Sequence, residues 1–510
     1  MLAAPLLAAC GAGATAPSPT AAPVAQPTTD PSQLFTAPVT GTAAAPAAIV
    51  AAPTAVPTAA PSAASASPQA APTFVPVTKQ LPQPVKSSAK VAGKWTVLQN
   101  QDFNPEFNAY VRKAVTDFAK FQGWPLDVSY VAGFSAGGQL EQKLAATINA
   151  GTPPDLMGNN ENGYQYKTLG LIEPVDDIAK EMIQKYGEVT PGIQYSTLVD
   201  GVWYGVPWFT RNGTAYWARQ SWFQDAGLDP VKATETLEGL PASLLKISDP
   251  SKKRYGWGMT VNTSGDGEHL VQCTCFMYGS HLTDEQGQVV TLDSPETVKA
   301  IQWLTDIYTN PKWKNMLPPG VNGWTDPSNN EAWLSGQIGY TQNAGTLYAQ
   351  SVQQGKALEQ DSVFLQQPAG PSGTRLMGQD GSEFWIFKGS KNVEASKDFI
   401  RYMLDPTAQK ATWDYTPGYV MPAYASGWND PIVQGNRIDK QVQPSALAKP
   451  AFLVPSYPGP ATAAAAAVNS ANVYTKMIAR VFQGMKPEDS MKQAAQDAVQ
   501  IYQQYGLKGK

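Results

Sequence analysis

Residues 95–123 of the chain have the sequence WTVLQNQDFNPEFNAYVRKAVTDFAKFQG, and residues 126–157 have the sequence LDVSYVAGFSAGGQLEQKLAATINAGTPPDLM. The first stretch opens with an apolar run typical of a buried strand, after which apolar residues recur at helical spacing until Gly123. The second stretch contains a strand, a glycine-rich loop, a helix that ends at Gly151, and a short third strand. This strand–helix–strand–helix–strand order predicts an α/β fold with a parallel, doubly wound sheet.

Polar residues follow the carboxyl ends of these predicted strands, where doubly wound sheets bind their ligands. Amides, a hydroxyl and a carboxylate at such an edge suit hydrogen bonding to a small polar solute. Polar loops also follow strands that bind nothing, so position alone does not separate the two cases. We expect the ligand contacts to include Asn100, Asp102, Ser135, Asn159, Asn160 and Glu161.

The composition of the 510-residue chain predicts more than one domain and excludes several kinds of site. The formal net charge is −4 and the basic residues form no stripe, which argues against a nucleic-acid partner. The two histidines, His269 and His281, leave little scope for a His-based metal centre, so we expect neither a metal nor a cofactor. Cys273 and Cys275 are too close in sequence for an unstrained disulfide, which predicts free, buried thiols.

The amino terminus is apolar and ends in Leu7-Ala8-Ala9-Cys10-Gly11. This pattern is typical of a secretory signal and resembles the bacterial lipobox, in which the cysteine is acylated. The alternative is an Ala-rich start with an ordinary buried cysteine. We predict a signal segment at 1–10, a lipid on Cys10, and a disordered Pro-, Ala- and Thr-rich tether at 11–90. A wall-crossing or glycosylated spacer fits the tether's composition equally well.

Five segments of the chain resemble, in order, motifs of the family 1 extracellular solute-binding proteins, the maltose-binding-protein-like group. Each motif is weak alone, but five in the family's order are a strong signal. The segments are AGTPPD (150–155), DGVWYGVP (200–207), WFQDAGLD (222–229), GQIGY (336–340) and SKNVEASK (390–397).

This resemblance implies two α/β lobes joined by crossing strands, with a hinge that closes around a solute in the cleft. It places lobe one at 91–208 plus 372–425 and lobe two at 209–371 plus 426–510. It also implies a sugar or oligosaccharide as the solute, the permease of an ABC importer as the partner, and an extracytoplasmic, lipid-anchored monomer. Such proteins release their solute unchanged, so we expect no enzymatic activity.

Further cleft residues are suggested by the resemblance and by the aromatic content. Trp208 and Arg211 follow the hairpin that would cross between the lobes, and Asn343 and Thr346 follow the GQIGY segment. Arg211 would either hold an anionic ligand group or pair with an acid. Aromatic rings would stack on a sugar, with core packing as the alternative role for each ring. The candidate rings are Trp385, Trp413 and Tyr415.

The segment Gly133-Phe134-Ser135-Ala136-Gly137 matches the G-x-S-x-G nucleophile elbow and lies between a predicted strand and a predicted helix. A serine hydrolase would need His269 or His281 as its base. A flexible cleft loop, with Ser135 as a hydroxyl donor to the ligand, explains the same residues. We keep the hydrolase as the alternative hypothesis and favour solute binding.

Overall fold

The fold is described here from a computed structural model. The structure describes residues 76–131, 144, 147–148, 150–160, 163–168, 170–199, 201–213, 215–375, 379–447 and 456–510. Cys10, most of the predicted tether, the loop with Ser135, and Glu161 lie outside these residues, and Asn160 is described by its backbone. Among the described residues, no helix is both long and apolar enough to cross a membrane.

The described residues form twelve strands in two sheets and one hairpin. In chain order the strands are β1 (Trp95–Asn100), β2 (Leu126–Val131), β3 (Leu156–Asn160), β4 (Leu198–Val199), β5 (Val202–Trp203), β6 (Gly205–Asn212), β7 (Ala215–Arg219), β8 (Tyr255–Trp257), β9 (Ile338–Asn343), β10 (Ser362–Leu365), β11 (Gln379–Ile386) and β12 (Val420–Pro422).

Helices separate most of these strands. In chain order the α-helices are α1 (Pro105–Gln122), α2 (Gly163–Thr168), α3 (Asp176–Tyr186), α4 (Pro191–Thr197), α5 (Gln220–Asp225), α6 (Pro230–Ala233), α7 (Leu240–Lys246), α8 (Gly265–Tyr278), α9 (Pro295–Thr309), α10 (Asp326–Leu334), α11 (Thr346–Gln354), α12 (Lys356–Asp361), α13 (Val393–Met403), α14 (Pro406–Tyr415), α15 (Pro431–Gly435), α16 (Arg437–Ala446), α17 (Ala463–Ser470), α18 (Val473–Phe482) and α19 (Pro487–Gln504). Four short 3-10 helices lie at Pro250–Lys252, Pro311–Met316, Val321–Gly323 and Ala425–Asn429.

A six-stranded sheet is the framework of lobe one. Its spatial order is β12–β6–β11–β3–β1–β2. Strand β1 is parallel to β2 and β3, which confirms the parallel unit predicted from residues 95–157. The other three strands are antiparallel to their neighbours, because they belong to the part of the chain that passes between the lobes.

Helix α1 packs against this sheet and has the boundaries that its sequence predicts. Asn104 caps it by accepting a hydrogen bond from a backbone N–H, Pro105 begins it, and Gly123 ends it with a left-handed φ of 77°. Its buried side packs on Trp95 of β1, whose ring lies edge-on to Phe118 at 6.4 Å between centroids. Burial of these rings fixes the helix on the sheet.

A four-stranded sheet is the framework of lobe two, with the order β10–β7–β9–β8. Strand β7 pairs antiparallel with β9 and β10, whereas β8 is parallel to β9. Helices α8, α9, α18 and α19 pack together in the apolar core of this lobe. Cys273 and Cys275 of α8 are free and buried, as predicted.

The two lobes meet at a packed hinge where β6 passes into β7. The Asn212 N–H donates to the Tyr419 carbonyl at 3.1 Å, and the Gly345 N–H donates to the Asn212 carbonyl at 3.0 Å. Trp217 of β7 stacks on Tyr348 of α11 at 5.7 Å between ring centroids. Both rings belong to the buried cluster that fills lobe one, so the core continues across the crossing.

The lobe boundaries differ from the expected ones in two places. Residues 426–446, expected in lobe two, contact both lobes. The Trp428 indole donates to the Thr190 hydroxyl of lobe one at 3.0 Å, and the Arg437 guanidinium donates to the Glu359 carbonyl of lobe two at 2.6 Å. Residues 76–90, expected within the disordered tether, lie against lobe one with Val77 and Leu81 partly buried. Both segments carry apolar side chains that gain free energy from burial. In residues 76–90 these are Val77 and Leu81, which stand in a segment whose overall composition is typical of disorder.

Candidate ligand-binding cleft

Hydrogen bonds between the lobes show which of their edges face each other. The Gln350 side chain of α11 donates to the Phe103 carbonyl at 3.5 Å, and the Gln353 side chain donates to the Glu106 carboxylate at 2.9 Å. Phe103 and Glu106 follow β1 directly. The carboxyl end of β1 therefore faces lobe two, which is the edge where ligand contacts were predicted.

Asp102 is fixed at this edge by hydrogen bonds on both sides. The Tyr419 hydroxyl donates to its Oδ2 at 3.2 Å, and the Phe103 N–H donates to its Oδ1 at 2.8 Å. The Asn108 side chain accepts from the Asp102 N–H at 2.8 Å and donates to the Asp102 carbonyl at 2.6 Å. Burial raises the pKa of the Asp102 carboxyl above its ordinary value, and the positive charge of Arg211 opposes this.

Arg211 lies near Asp102 but is paired with an acid of its own lobe. Its Nε donates to Asp380 Oδ1 at 3.0 Å and its Nη2 donates to the Gly381 carbonyl at 3.1 Å. The Arg211 side chain is buried, whereas that of Asp380 is 38% exposed. Of the two roles considered for Arg211, the structure supports pairing with an acid, and Asp380 is the more accessible charge.

Asn100 and Asn159 are fully buried at the ends of β1 and β3. The Asn159 amide donates to the Asn100 carbonyl at 3.1 Å, and its oxygen accepts from the Ser382 hydroxyl at 2.9 Å. Asn159 has a φ of 61°, a left-handed conformation that asparagine adopts more readily than most residues. Both side chains are buried, the Asn159 amide joins neighbouring strand ends, and the role of both residues as ligand contacts stays a prediction.

The facing wall in lobe two begins at the first turn of α8. Asp326 Oδ1 accepts from the Asp266 N–H at 2.9 Å, and Asp326 Oδ2 accepts from the Gly265 N–H at 3.3 Å. Asp266 Oδ2 in turn accepts from the Asn329 amide at 2.8 Å and from the Asn343 amide at 3.4 Å. Two carboxylates and two amides are thus held together at one edge of lobe two.

Asn343 and Thr346 belong to a chain of side-chain hydrogen bonds that runs towards lobe one. The Thr346 hydroxyl donates to Asn343 Oδ1 at 3.0 Å, and the Asn343 amide donates to Asn330 Oδ1 at 2.5 Å. The Asn330 amide donates to Gln350 Oε1 at 2.9 Å. Since Gln350 also contacts the Phe103 carbonyl, this chain links the predicted lobe-two contact segment to the end of β1.

The electrostatics of the cleft are dominated by carboxylates from both lobes. Burial lowers the pKa of His269 on α8, and the negative charges of Asp380 in lobe one and Asp326 in lobe two oppose this. Burial and the nearby charge of Asp326 raise the pKa of Asp266 to about 7. Among the described residues, no group of three or more His, Cys, Asp or Glu side chains could hold a metal ion.

The four predicted aromatic contacts lie in the core, which was the alternative role considered for each. Trp208 stacks on Phe384 at 4.5 Å between centroids. The Trp385 ring is fully buried and touches the backbone at Gly163 and Gly205, where a Cβ would lie within 2.8 Å of it. The two remaining rings are also buried and belong to the lobe-one core: Trp413 and Tyr415.

Trp324 is an aromatic residue near the carboxylates of lobe two that the sequence did not single out. It is half-buried and packs against the apolar cores of both lobes. It also lies two residues before Asp326, which places it next to the carboxylate wall of lobe two. Trp324 belongs to none of the five motifs. The sequence feature nearest to it is Asp326-Pro327, which begins α10.

The sequence is similar to known solute-binding proteins over most of the folded part. Residues 113–434 match the family model described as bacterial extracellular solute-binding protein. The diacetylchitobiose binding protein DasA of Streptomyces coelicolor is 26% identical over 278 residues, which are 52% of this chain and 60% of that protein. The chain thus aligns with less than two thirds of the length of this relative.

Solved structures share the two-lobe fold. A sugar transporter protein of Arthrobacter chlorophenolicus with bound laminaribiose has a TM-score of 0.67 at 16% identity, over 79% of this chain and 98% of that one. An ABC transporter solute-binding protein of Thermotoga lettingae bound with α-D-tagatose has a TM-score of 0.66 at 17% identity, over 80% and 100%. These matches confirm the predicted fold. Because the family model covers more than half of the sequence, the chain belongs to the bacterial extracellular solute-binding protein family.

Proposed function

We propose that this protein captures a small sugar or oligosaccharide in the cleft and delivers it to the permease of an ABC importer. The observation that carries the proposal is the pair of polar edges that face each other, with Asp102 and Asp380 in lobe one and Asp266 and Asn343 in lobe two. The hydrogen bonds of Gln350 to Asn330 and to the Phe103 carbonyl join these two edges. Carboxylates and amides are suited to the many hydroxyls of a sugar. The relatives support the same class of solute, since their names mention diacetylchitobiose, laminaribiose and tagatose.

The mechanism follows from the position of the two walls. A solute that contacts both walls binds the closed form better than the open form, so it shifts the hinge equilibrium towards closure by that difference in affinity. The contacts of Asn212 and Tyr348 at the crossing would keep the lobes joined while they turn. The permease would then recognise the closed shape.

The remaining features of the proposal concern location and chemistry. The protein would act outside the cytoplasm as a monomer, held to the membrane by a lipid on Cys10, and would use no cofactor. It would not be an enzyme, and the family assignment gives no support to the serine hydrolase alternative. His281, one of the two bases considered, lies between the rings of Phe276 and Tyr457, apart from the carboxylates around His269.

A thermal-unfolding screen tests this function. The chain would be heated with laminaribiose, tagatose, maltose and diacetylchitobiose, and separately with amino acids, phosphodiesters and short esters. A ligand at about a hundred times its dissociation constant should stabilise the fold by about 2.7 kcal/mol. A sugar that stabilises the protein and is recovered unchanged supports the proposal. No stabilisation by any sugar, with ester hydrolysis that Ser135→Ala abolishes, would overturn it.

A further inference from the structure

Residues 76–90, which we call the strap, contain no helix or strand but are bound along the outside of lobe one. In the described part of the chain, every hydrogen bond that these residues make outside the strap goes to α1, α13 or α14. All three helices belong to lobe one. The segment therefore differs from a free linker, which would make no specific contacts.

The first part of the strap is held by the end of α14. The Thr78 and Lys79 N–H groups donate to the Tyr415 hydroxyl at 3.0 and 2.9 Å. The Lys79 ammonium also forms an ion pair with Asp414. One step further along, the Tyr110 hydroxyl of α1 donates to the Gln80 carbonyl at 3.1 Å.

The last part of the strap is held by the end of α1. The buried Gln122 amide donates to the Val85 carbonyl at 2.7 Å, and its oxygen accepts from the Ser87 N–H at 3.0 Å. The Lys86 ammonium donates to the Phe121 and Gln122 carbonyls at 3.0 and 2.9 Å, which completes the C-terminus of α1. A side chain that matches both groups of a backbone segment is a specific contact.

We infer that the strap is an integral part of lobe one and not part of a free tether. Tyr415 links the start of the strap to Asn104, because the Asn104 amide donates to the Tyr415 carbonyl at 2.9 Å while the Tyr415 hydroxyl accepts from the Thr78 N–H. Asn104 lies two residues after Asp102, so the strap begins at the end of lobe one that carries Asp102. Where the hinge closes as proposed above, lobe two then moves relative to the strap and lobe one does not.

Limited trypsin digestion of the full chain tests the strap without any ligand. Lys79 is the first Lys or Arg of the sequence, so cleavage at Lys79 or Lys86 gives defined amino-terminal fragments. A synthetic peptide of residues 76–95 serves as the unprotected reference. We expect cleavage after Lys86 to be at least about a hundredfold slower in the chain than in the peptide, because protease needs the strap to open.

Two substitutions should release the strap from opposite sides. Gln122→Ala removes both contacts to the strap backbone, and Ser87→Ala removes the hydrogen bond that the Ser87 hydroxyl donates to Asp398. Each should speed cleavage after Lys86, Gln122→Ala by roughly tenfold. Gln286→Ala, at an exposed position in lobe two, should leave the rate unchanged.

The digestion is carried out without a solute, so the cleavage rates do not depend on which solute the protein binds. Circular dichroism of each variant at the digestion temperature separates release of the strap from loss of the whole fold, and Ser87→Ala keeps the test valid where Gln122→Ala does not fold. Cleavage after Lys86 at the peptide's rate in the wild-type chain would overturn the inference. Equal rates in wild type and both folded variants would do the same, while sugar binding would be unaffected by either result.

Discussion

The Tyr419 hydroxyl donates a hydrogen bond to the Asp102 carboxylate at 3.2 Å, and this bond joins the loop after the first strand to the hinge. The Tyr419 carbonyl accepts from the Asn212 N–H at the crossing between the lobes. The carboxylate at the end of β1 and the backbone at the crossing between the lobes are thus separated by one side chain. Both partners are buried, so neither can exchange the other for water.

Removing this hydroxyl should destabilise the fold. We expect Tyr419→Phe to lower the free energy of unfolding by about 1–3 kcal/mol, because a buried carboxylate loses a hydrogen-bond donor. Urea unfolding followed by circular dichroism would measure this. Tyr204→Phe is the matched control, since Tyr204 is half-buried and makes no side-chain hydrogen bond among the described residues. A change equal to that of the control would show that the bond contributes nothing.

The order of strands and helices was predictable from the sequence because the signals are local. The cap at Asn104, the stop at Gly123 and the apolar periodicity between them define α1 without reference to the rest of the chain. Asp102 was selected for the same reason, as a polar residue directly after a strand, and its role as a ligand contact stays a prediction. Asn343 was placed by motif order, and its contact with Asp266 could not have been foreseen.

The lobe-two wall was missed because its residues come together through tertiary structure. Asp266 lies in the first turn of α8, and Asp326 begins α10. The packing of the lobe brings the Asp326 carboxylate to the N-terminus of α8, which the sequence could not show. For the aromatic residues, the sequence suggested positions in the cleft, whereas the structure has these rings buried. Composition could not show whether Trp385 faces a sugar or the core, and the space left for it by Gly163 and Gly205 is visible only in the folded protein.

The core position of Trp385 predicts the effect of a single added methyl group. In Gly205→Ala the new Cβ would lie 2.6 Å from Trp385 Cζ3, and a buried indole cannot move away. We expect a loss of about 1–3 kcal/mol in the free energy of unfolding. Gly435→Ala, at the end of α15 with no atom within 4 Å of the added Cβ, should be neutral or slightly stabilising. Equal effects of the two substitutions in urea unfolding would place Trp385 outside a tightly packed site.

Asp439 of α16 should make the protein less stable as the pH rises. Burial raises the pKa of this carboxyl to about 8, an effect that the Gly418 N–H, donating to it at 3.1 Å, opposes. Between about pH 4 and pH 8 the folded state holds a proton that the unfolded state has lost, so stability falls across this window.

Asp439→Asn should remove this dependence, because asparagine stays neutral and can still accept from the Gly418 N–H. We expect the variant to match wild type near pH 4 and to exceed it at pH 8 by at least about 1 kcal/mol. Urea unfolding at four pH values would measure the difference. A variant that is less stable than wild type at pH 8 would contradict a protonated, buried carboxyl.

Asp266 should contribute directly to solute binding from lobe two. It is half-buried at the cleft edge and, among the described residues, forms no ion pair with Lys or Arg, so its ionised oxygens can accept hydrogen bonds from solute hydroxyls. We expect Asp266→Asn to weaken binding of any sugar identified in the screen by tenfold or more, about 1.4 kcal/mol. Isothermal titration calorimetry at pH 8 would measure this, with the exposed Asp293→Asn as the control that leaves affinity unchanged.

The pH dependence of affinity provides an independent check on the same residue. Because the pKa of Asp266 is about 7, the carboxylate fraction increases from pH 6 to pH 8 in the wild-type protein. Sugar affinity should therefore rise with pH across this range in wild type and stay level in Asp266→Asn, while neither protein unfolds. Parallel curves for the two proteins would mean that Asp266 holds Asn329 and Asn343 in place without touching the solute.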